Sequence, residues 1–382
     1  MGVLRQIESA AIAAPARWRM VIAGRRRLPP MSRLSYAFAA VVLSALFGHS
    51  TLSGQAPATP TDSSGGAVIG TGTFTGFVEN MDRSLAFYHD AFGMDVPALP
   101  ASGARPYNPP NPQLFKWFDI AGARERHQSA RVPGSRVTVE LMEIQDVDHK
   151  TIPLRIQDPG AATLVLMVRD VDATLVRATQ AGASVVTPGR KSAVLSDGGR
   201  AILLRDVDGR FIELRQPAMT AGAPATGDVL DMRLLITVNE MSQTTRFYRD
   251  VLGFIVEGET GFTADKPTQQ LTGLGNAEVK RSRMQAPGSM LWIDLVEFKG
   301  VDRKPLQMRI QDRGAARLQL RAQNIDALVD RIKRAGAKVV SEGGVAVAIP
   351  PNLKGAVVAD PNNFFLTPFA PCDGCAPGIP GR

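Results

Sequence analysis

The sequence contains few of the residues that most often build metal and redox sites. Among its 382 residues are four histidines and two cysteines. Both cysteines stand in one Cys372-Asp373-Gly374-Cys375 motif, and a zinc site built on it would need two further ligands, with no other cysteine in the chain. Hydrophobic residues make up 44% of the chain and charged residues 21%, which excludes a disordered or collagen-like polymer and leaves length for two domains.

The positive charge is concentrated at one end of the chain. Residues 1–52 contain seven arginines and one acidic residue, which accounts for +6 of the net charge of +8. The remaining residues are nearly neutral and show no basic stripe interleaved with aromatic residues, as a nucleic-acid surface would require. We therefore expect no nucleic-acid partner.

The sequence also lacks a hydrophobic run of the roughly 20 residues that span a bilayer. A shorter apolar run, Tyr36 to Gly48, follows Arg33 and precedes small and polar residues. This pattern predicts an N-terminal extension and signal peptide at 1–56 and a flexible tether at 57–69, with translation starting at Met1 or Met31. The protein is expected to be exported to the periplasm or the exterior, and to contact a membrane only during export.

The rest of the chain is an internal repeat. Met81 to Gly93 reappears 160 positions later, and Arg155-Ile156-Gln157-Asp158 reappears 154 positions later as Arg309-Ile310-Gln311-Asp312. The repeat predicts two domains at 70–217 and 229–370, a linker at 218–228 and a tail at 371–382. For an exported chain, a local disulfide between Cys372 and Cys375 is expected in that tail.

Each predicted domain contains a strand followed by a helix twice. The four helices are predicted at 82–92, 172–181, 242–252 and 326–335, and each is followed by a glycine suited to a left-handed helix end. Further strands follow each helix, the clearest being 200–205 and 210–215 around an Asp-Val-Asp-Gly turn. The predicted unit is one strand, one helix and about three strands, used four times in an α+β protein.

The segments TFTGFVENMDRSLAFYHDAFGM and RLLITVNEMSQTTRFYRDVLGF resemble the first strand and helix of the vicinal oxygen chelate superfamily, which includes glyoxalase I, bleomycin-resistance proteins and extradiol dioxygenases. The resemblance implies four βαβββ modules paired into two cupped mixed-sheet domains of the glyoxalase/bleomycin-resistance type. We expect the two modules within 70–217 to form one cup, and those within 229–370 to form the other.

The resemblance also implies where site residues should lie, since similar proteins take metal ligands from the first and last strands of paired modules, usually His or Gln and Glu. The corresponding positions are Thr73, Thr163, Arg233 and Arg317 on first strands and Glu140, Glu213, Asp294 and Thr367 on last strands. None of the first-strand positions is His or Gln. Glu140 and Glu213 are thus weak metal candidates in one cleft with Thr73 and Thr163, and no cofactor is expected. The alternative is a divalent metal in the first domain.

In the second domain Arg233 and Arg317 are expected to share a cleft with Asp294. Either Asp294 pairs with them and closes the site, or one arginine remains to bind an anionic ligand. The four histidines His49, His89, His127 and His149 are interpreted as solvated rather than catalytic.

Three functional hypotheses follow. The first is metal-independent binding of a small organic molecule in a cleft, the second a metal-dependent lyase or dioxygenase with an atypical site, and the third a non-catalytic scaffold. The sequence favours binding, and it leaves the ligand and the oligomeric state open.

Overall fold

The computed structural model describes residues 67–133, 137–218, 227–349 and 352–372. The predicted signal peptide, most of the tether and linker, and Cys375 lie outside these residues, whereas Cys372 is described and is disulfide-bonded. Within the described ranges no helix is both long and apolar enough to cross a membrane.

Four strand–helix–strand modules follow one another along the chain. The first comprises β1 (Val68–Val78), α1 (Met81–Phe92), α2 (Pro112–Phe118), β2 (Arg124–Arg131) and β3 (Thr138–Gln145). The second comprises β4 (Ala162–Val168), α3 (Val171–Gln180), β5 (Ser184–Val185), β6 (Ala193–Val194), β7 (Arg200–Arg205) and β8 (Phe211–Gln216).

The third and fourth modules repeat this arrangement. The third comprises β9 (Val229–Val238), α4 (Met241–Arg246), β10 (Ile255–Glu259), α5 (Lys266–Thr272), β11 (Glu278–Gln285) and β12 (Trp292–Lys299). The fourth comprises β13 (Ala316–Ala322), α6 (Ile325–Arg334), β14 (Lys338–Val339), β15 (Val347–Ile349), β16 (Leu353–Gly355), β17 (Val358–Ala359) and β18 (Phe365–Pro371). The α+β class with four such modules is confirmed.

The helix that follows each first strand begins at a capping side chain. The Asn80 carboxamide oxygen accepts from the backbone N–H of Arg83, and α1 ends at Gly93 with φ of 64°. The predicted single helix at 242–252 is in fact α4 followed by a π-helical turn, Phe247–Val251. Local capping signals therefore locate the helices.

The strands of the described residues form two nine-stranded mixed sheets, but their pairing differs from the expected one. Sheet I contains the first and fourth modules, in the order β14-β17-β18-β13-β1-β3-β2, with β15 and β16 attached. Sheet II contains the second and third modules, in the order β10-β11-β12-β9-β4-β8-β7-β5, with β6 attached. The expectation that each half of the chain forms its own cup is wrong, because β1 pairs with β13 and β4 with β9, both antiparallel.

Each sheet has two faces of different character. Alternate residues of the central strands, such as Leu166 and Leu318, pack with Leu85, Met241 and Leu328 of the helices in one shared core. The intervening residues face the opposite side of each sheet. We call these opposite faces cup I, on sheet I, and cup II, on sheet II.

The two modules of each half are joined at a helix-to-turn contact. Tyr88 of α1 donates to the Asp206 carboxylate over 3.2 Å, and Arg210 forms an ion pair with the same carboxylate over 2.7 Å. The buried Arg210 guanidinium occupies the space beside Gly76, where a Cβ atom would lie 1.6 Å from its Nη1. A side chain at position 76 would therefore displace the arginine.

The second half has the same junction without the arginine. Tyr248 donates to the Asp360 carboxylate over 3.1 Å, and the positions equivalent to Gly76 and Arg210 are Ile236 and Phe364. Asp360 is fully buried, and this burial raises its pKa from 3.8 to about 6 although four hydrogen bonds to the carboxylate oppose the rise.

We predict that Asp360 makes the stability of the protein depend on pH. Since its folded-state pKa is raised, its stabilising contribution is complete below about pH 3.8 and is lost as the pH rises through about 6. The free energy of unfolding of Asp360→Asn, relative to the wild type, should therefore increase between pH 4 and pH 7 by up to about 3 kcal/mol. Urea unfolding across this range measures the difference.

The matched substitution in the other half should behave oppositely at neutral pH. Asp206→Asn removes the 2.7 Å carboxylate partner of the buried Arg210 and leaves only the looser Asp208 at 3.7 Å, so we expect a loss of up to about 3–5 kcal/mol. Equal destabilisation by both substitutions at pH 7 would contradict this account of the two junctions.

Candidate functional site

The eight site positions expected from the sequence do face the cups, but in a different grouping. Cup I brings together one set of four: Thr73, Glu140, Arg317 and Thr367. Cup II brings together the other set of four: Thr163, Glu213, Arg233 and Asp294. The predicted cleft shared by Glu140 and Glu213 is wrong, and so is the cleft shared by Arg233 and Arg317, because the two sheets exchange modules between the halves of the chain.

A buried ion pair closes the centre of cup I. Arg317 Nη2 donates to Glu140 Oε1 over 2.9 Å, and Thr75 Oγ1 donates to the same oxygen over 3.0 Å. Gln319 Nε2 lies 3.1 Å from each Glu140 carboxylate oxygen. The expected pairing of Asp294 with Arg317 is wrong, since β1 pairs with both β13 and β3 and so brings Glu140 of β3 to Arg317 instead.

Aromatic rings surround the Arg317 guanidinium. Its central carbon lies 4.9 Å from the ring centre of Phe118 and 5.7 Å from those of Phe77 and Trp117. Burial lowers the pKa of Arg317 below its ordinary value, although Glu140 opposes the shift. Burial also opposes ionisation of Glu140, but Arg317, His127 and the hydrogen bonds hold the pKa of that carboxyl below its ordinary value.

The remaining cup I positions are also engaged. Thr73 Oγ1 lies 3.0 Å from Thr138 Oγ1, and the fully buried Thr367 donates its hydroxyl to the Leu318 carbonyl over 3.4 Å. His127 lies on β2, not in the expected loop, and its Nδ1 is 2.9 Å from Glu125 Oε2. This hydrogen bond raises the pKa of His127, although burial opposes the shift. Side chains of the protein thus hold the Glu140 carboxylate, whereas Nε and Nη1 of Arg317 are buried without a hydrogen-bond partner among the described residues.

Cup II contains two ion pairs between neighbouring strand positions. Arg215 Nη2 lies 2.6 Å from Glu213 Oε1 on β8, and Arg283 of β11 donates Nε to Asp294 Oδ1 of β12 over 2.7 Å. Glu213 raises the pKa of Arg215, and the more distant Asp294 adds to this rise against the effect of burial. The expected pairing of Asp294 with Arg233 is wrong, because Arg283 lies directly across from Asp294 in the strand register.

A cavity of about 660 Å³ opens over these pairs. Its floor includes Leu235, Val296 and Phe298, and its polar wall includes Glu213 and Asp294 with their arginines. Helix α5 forms the opposite wall, where Arg281 Nη2 donates to Thr268 Oγ1 over 2.6 Å. The cavity therefore combines an apolar floor with charged groups of both signs.

Two polar groups in cup II have weak or absent partners. Thr163 is 1% exposed, and its hydroxyl has no hydrogen-bond partner among the described residues. Arg233 Nε is buried without a hydrogen bond in the same part of the chain, and its nearest carboxylate, Asp231, is 3.6 Å away. Buried polar groups are normally paired, but neither residue is among those that line the cavity, and Arg317 of cup I has unpartnered nitrogens as well.

Sequence reasoning missed the partners that define both cups. Gln319 lies two residues beyond Arg317 on the same face of β13. A search of each first strand for a glutamine two residues after the expected ligand position would have found it. Arg215 lies two residues beyond Glu213 and could be found in the same way. Arg283 has no such signal, since it reaches Asp294 only across a strand pairing.

Comparison with known proteins agrees with this architecture. The model of the Glyoxalase/Bleomycin resistance protein/Dioxygenase superfamily matches residues 71–214 and 232–361, more than half of the chain. The chain belongs to this superfamily. It is a tandem member, and the resemblance expected from its repeats is confirmed.

Solved structures show the same fold at low sequence identity. Two glyoxalase I mutants from Zea mays are 16% and 15% identical, with TM-scores of 0.50 and 0.51. Each match covers 80% of this chain, and 92% and 94% of the respective maize chains. No curated protein sequence matches. At this identity the likeness supports the fold alone.

Neither cup of this superfamily member has a donor set that fits a divalent metal. Within the described ranges no group of three or more His, Cys, Asp or Glu side chains is placed to hold a metal. In cup I an arginine donates to Glu140, and in cup II Glu213 and Asp294 each have an arginine partner. A guanidinium beside each candidate carboxylate repels a cation and uses the oxygen that would bind it.

We predict that the buried pair of cup I is structurally important. Arg317→Met leaves Glu140 charged and without its arginine, so the free energy of unfolding should fall by about 3–5 kcal/mol. Arg317→Met/Glu140→Gln should recover most of this loss because the charge is removed. The equivalent Arg233→Met should cost less than about 1 kcal/mol, since its pair with Asp231 is loose and half-exposed. Urea unfolding of the three variants tests this, and similar losses in Arg317→Met and Arg233→Met would contradict it.

We also predict weak metal binding. After loading with Zn, Ni, Mn or Fe and dialysis, the chain should retain much less than one metal ion, as measured by mass spectrometry of the metals. Stoichiometric metal that disappears in Glu213→Gln/Asp294→Asn, but not in the control Glu140→Gln, would show that the arginines of cup II do not prevent coordination.

Proposed function

We propose that this superfamily member is an exported protein that binds a small organic molecule in cup II without a metal. The observation that carries the proposal is the cavity of about 660 Å³ bounded by two arginine–carboxylate pairs over an apolar floor. Ligand sites in proteins typically occupy about 300–1,000 Å³ and combine apolar walls with a few oriented polar groups. The pairs supply donors and acceptors, while Leu235 and Phe298 supply apolar contact.

Cup I has a different role in this proposal. The Arg317–Glu140 pair and its aromatic surroundings occupy the region where a ligand would have to bind, so cup I acts as scaffold. A metal-dependent lyase or dioxygenase is not favoured, because the two carboxylates considered for its site lie in different cups and carry arginine partners.

The export part of the proposal rests on the apolar run at 36–48 behind Arg33. Sequencing the N-terminus of protein from the source cell would locate the cleavage expected between residues 48 and 58.

Blocking the cavity tests the binding part. Thr260 and Thr263 line the cavity and are exposed, so Thr260→Trp/Thr263→Trp should fill the cavity mouth without disturbing the core. Compounds found by ligand-observed NMR against the full chain should lose binding at least tenfold in this variant. Val176→Trp, on the exposed face of α3, is the matched control and should bind normally. Equal binding by both variants would place the ligand elsewhere and refute the proposal.

A further inference from the structure

Carboxylates outnumber basic side chains along the cavity of cup II. No lysine or histidine is among the described residues that line it, and three arginines are its basic side chains. Five acidic side chains share the lining with them: Asp197, Glu213, Glu257, Asp265 and Asp294. The cavity therefore carries an excess of two formal negative charges, and a concave surface of one sign concentrates ligands of the opposite sign.

Each of the three arginines already pairs with one carboxylate. The pairs, with N–O distances of 2.6, 2.7 and 3.5 Å, are Arg215–Glu213, Arg283–Asp294 and Arg281–Asp265. Asp197 and Glu257 form no ion pair among the described residues. Glu257 lies directly across from Arg283 in the strand register, on the side opposite to Asp294. Arg283 thus stands between two carboxylates and neutralises only one of them.

Asp294 keeps a free carboxylate oxygen at this place. Arg283 donates to Oδ1 only, and no described residue donates a hydrogen bond to Oδ2. That oxygen is accessible to solvent, unlike the inaccessible hydroxyl of Thr163. Glu213 shows the same arrangement, because Nε and Nη2 of Arg215 both lie against its Oε1. Its side chain is 4% exposed, so a mostly buried carboxylate presents the free Oε2 to the cavity that it lines.

An apolar surface begins directly beside Asp294. Leu235 lies across from Asp294 in the register of β9 and β12, and Val296 and Phe298 follow Asp294 on the same face of β12. Val279 of β11 lies across from Phe298. All four apolar side chains line the cavity. Cup II therefore has a negatively charged end and an apolar end, joined along one strand.

We infer that cup II binds a small primary amine in its ammonium form, with the ammonium at Asp294 and the apolar body along Leu235, Val296 and Phe298. The inference rests on the proposed function and names its ligand class. An ammonium group offers three donors, and a hydrogen bond between it and a carboxylate is charge-assisted. The excess of negative charge in the lining repels an organic acid.

A divalent metal ion is a different case from an ammonium group. The metal needs about six oxygen ligands around one point, and within the described ranges no group of three acidic, histidine or cysteine side chains is placed to hold it. The ammonium needs one free carboxylate oxygen and leaves the arginine on the other oxygen in place. Repulsion by the arginines is outweighed because the carboxylates of the lining outnumber them.

Compounds with one hydrocarbon body and different head groups test the inference on the full chain. The probes are 3-phenylpropylamine, its N-trimethylated ammonium analogue, 3-phenylpropanol and 3-phenylpropanoate, measured by ligand-observed NMR and calorimetry. The amine should bind at least tenfold more tightly than the alcohol, and the acid should bind most weakly. The trimethylated ion keeps the charge without N–H donors and should be intermediate. Rising salt should weaken the binding of the two cations alone.

Substitution of Asp294 gives the second arm of the experiment. Asp294→Asn should weaken amine binding at least tenfold and change alcohol binding less than twofold. Arg283→Met/Asp294→Asn removes the arginine as well and should still weaken the amine at least fivefold, because the charged acceptor is lost in both variants. Glu257→Gln, which leaves every arginine pair intact, should weaken the amine about threefold at low salt. The control Asp326→Asn removes the same charge from the exposed surface of α6 and should leave all affinities unchanged.

The outcomes separate the inference from the proposed function. If the alcohol or the acid binds as tightly as the amine and Asp294→Asn has no effect, the inference is overturned. If none of the four probes binds, while other compounds bind the wild type and are lost in Thr260→Trp/Thr263→Trp, the inference alone is overturned. If the blocked variant binds every compound as the wild type does, both are overturned.

Discussion

The antiparallel pairing of β1 with β13 and of β4 with β9 is the constraint on which the other features depend. Each pairing joins the first strands of two modules from different halves of the chain, and so supplies backbone hydrogen bonds to strands that would otherwise be sheet edges. It also decides which side chains share a cup. Glu140 meets Arg317 because β1 lies between their strands, and Glu213 lies near Arg233 because β4 does the same in sheet II.

The two cups use equivalent positions for opposite purposes. Arg317 and Arg233 occupy matching places on first strands, yet Arg317 is enclosed by rings and bound to Glu140 while Arg233 has a loose pair with Asp231 of its own strand. In cup I, Thr75 and Gln319 donate hydrogen bonds that hold the Glu140 carboxylate in place. In cup II the position equivalent to Thr75 is Leu235, which has no polar group to donate such a hydrogen bond. The centre of cup I is thus filled by an ion pair and aromatic rings, whereas cup II keeps a cavity lined by charged groups.

The helix-to-turn junctions show the same divergence without any relation to a ligand. Gly76 and Arg210 in one half correspond to Ile236 and Phe364 in the other. A glycine paired with an arginine in the first half is therefore matched by two apolar side chains in the second. Both solutions fill the space beside a buried aspartate that accepts a hydrogen bond from tyrosine. Only the first places an arginine against the aspartate, and in the second burial raises the pKa of Asp360.

The sequence by itself determined the modules, because their signals are local. Caps such as Asn80, glycines such as Gly93 and alternating strands depend on residues a few positions apart, and the repeat offsets revealed that the units are equivalent. It also located the eight cup positions: the four on first strands each lie eight residues before the start of the following helix, and the four on last strands followed from the resemblance. The tertiary structure alone decided which modules pair and therefore which charges meet. The reason is physical: strands pair through backbone groups that nearly every residue carries, so nothing local distinguishes a partner in the same half from one more than 200 residues away.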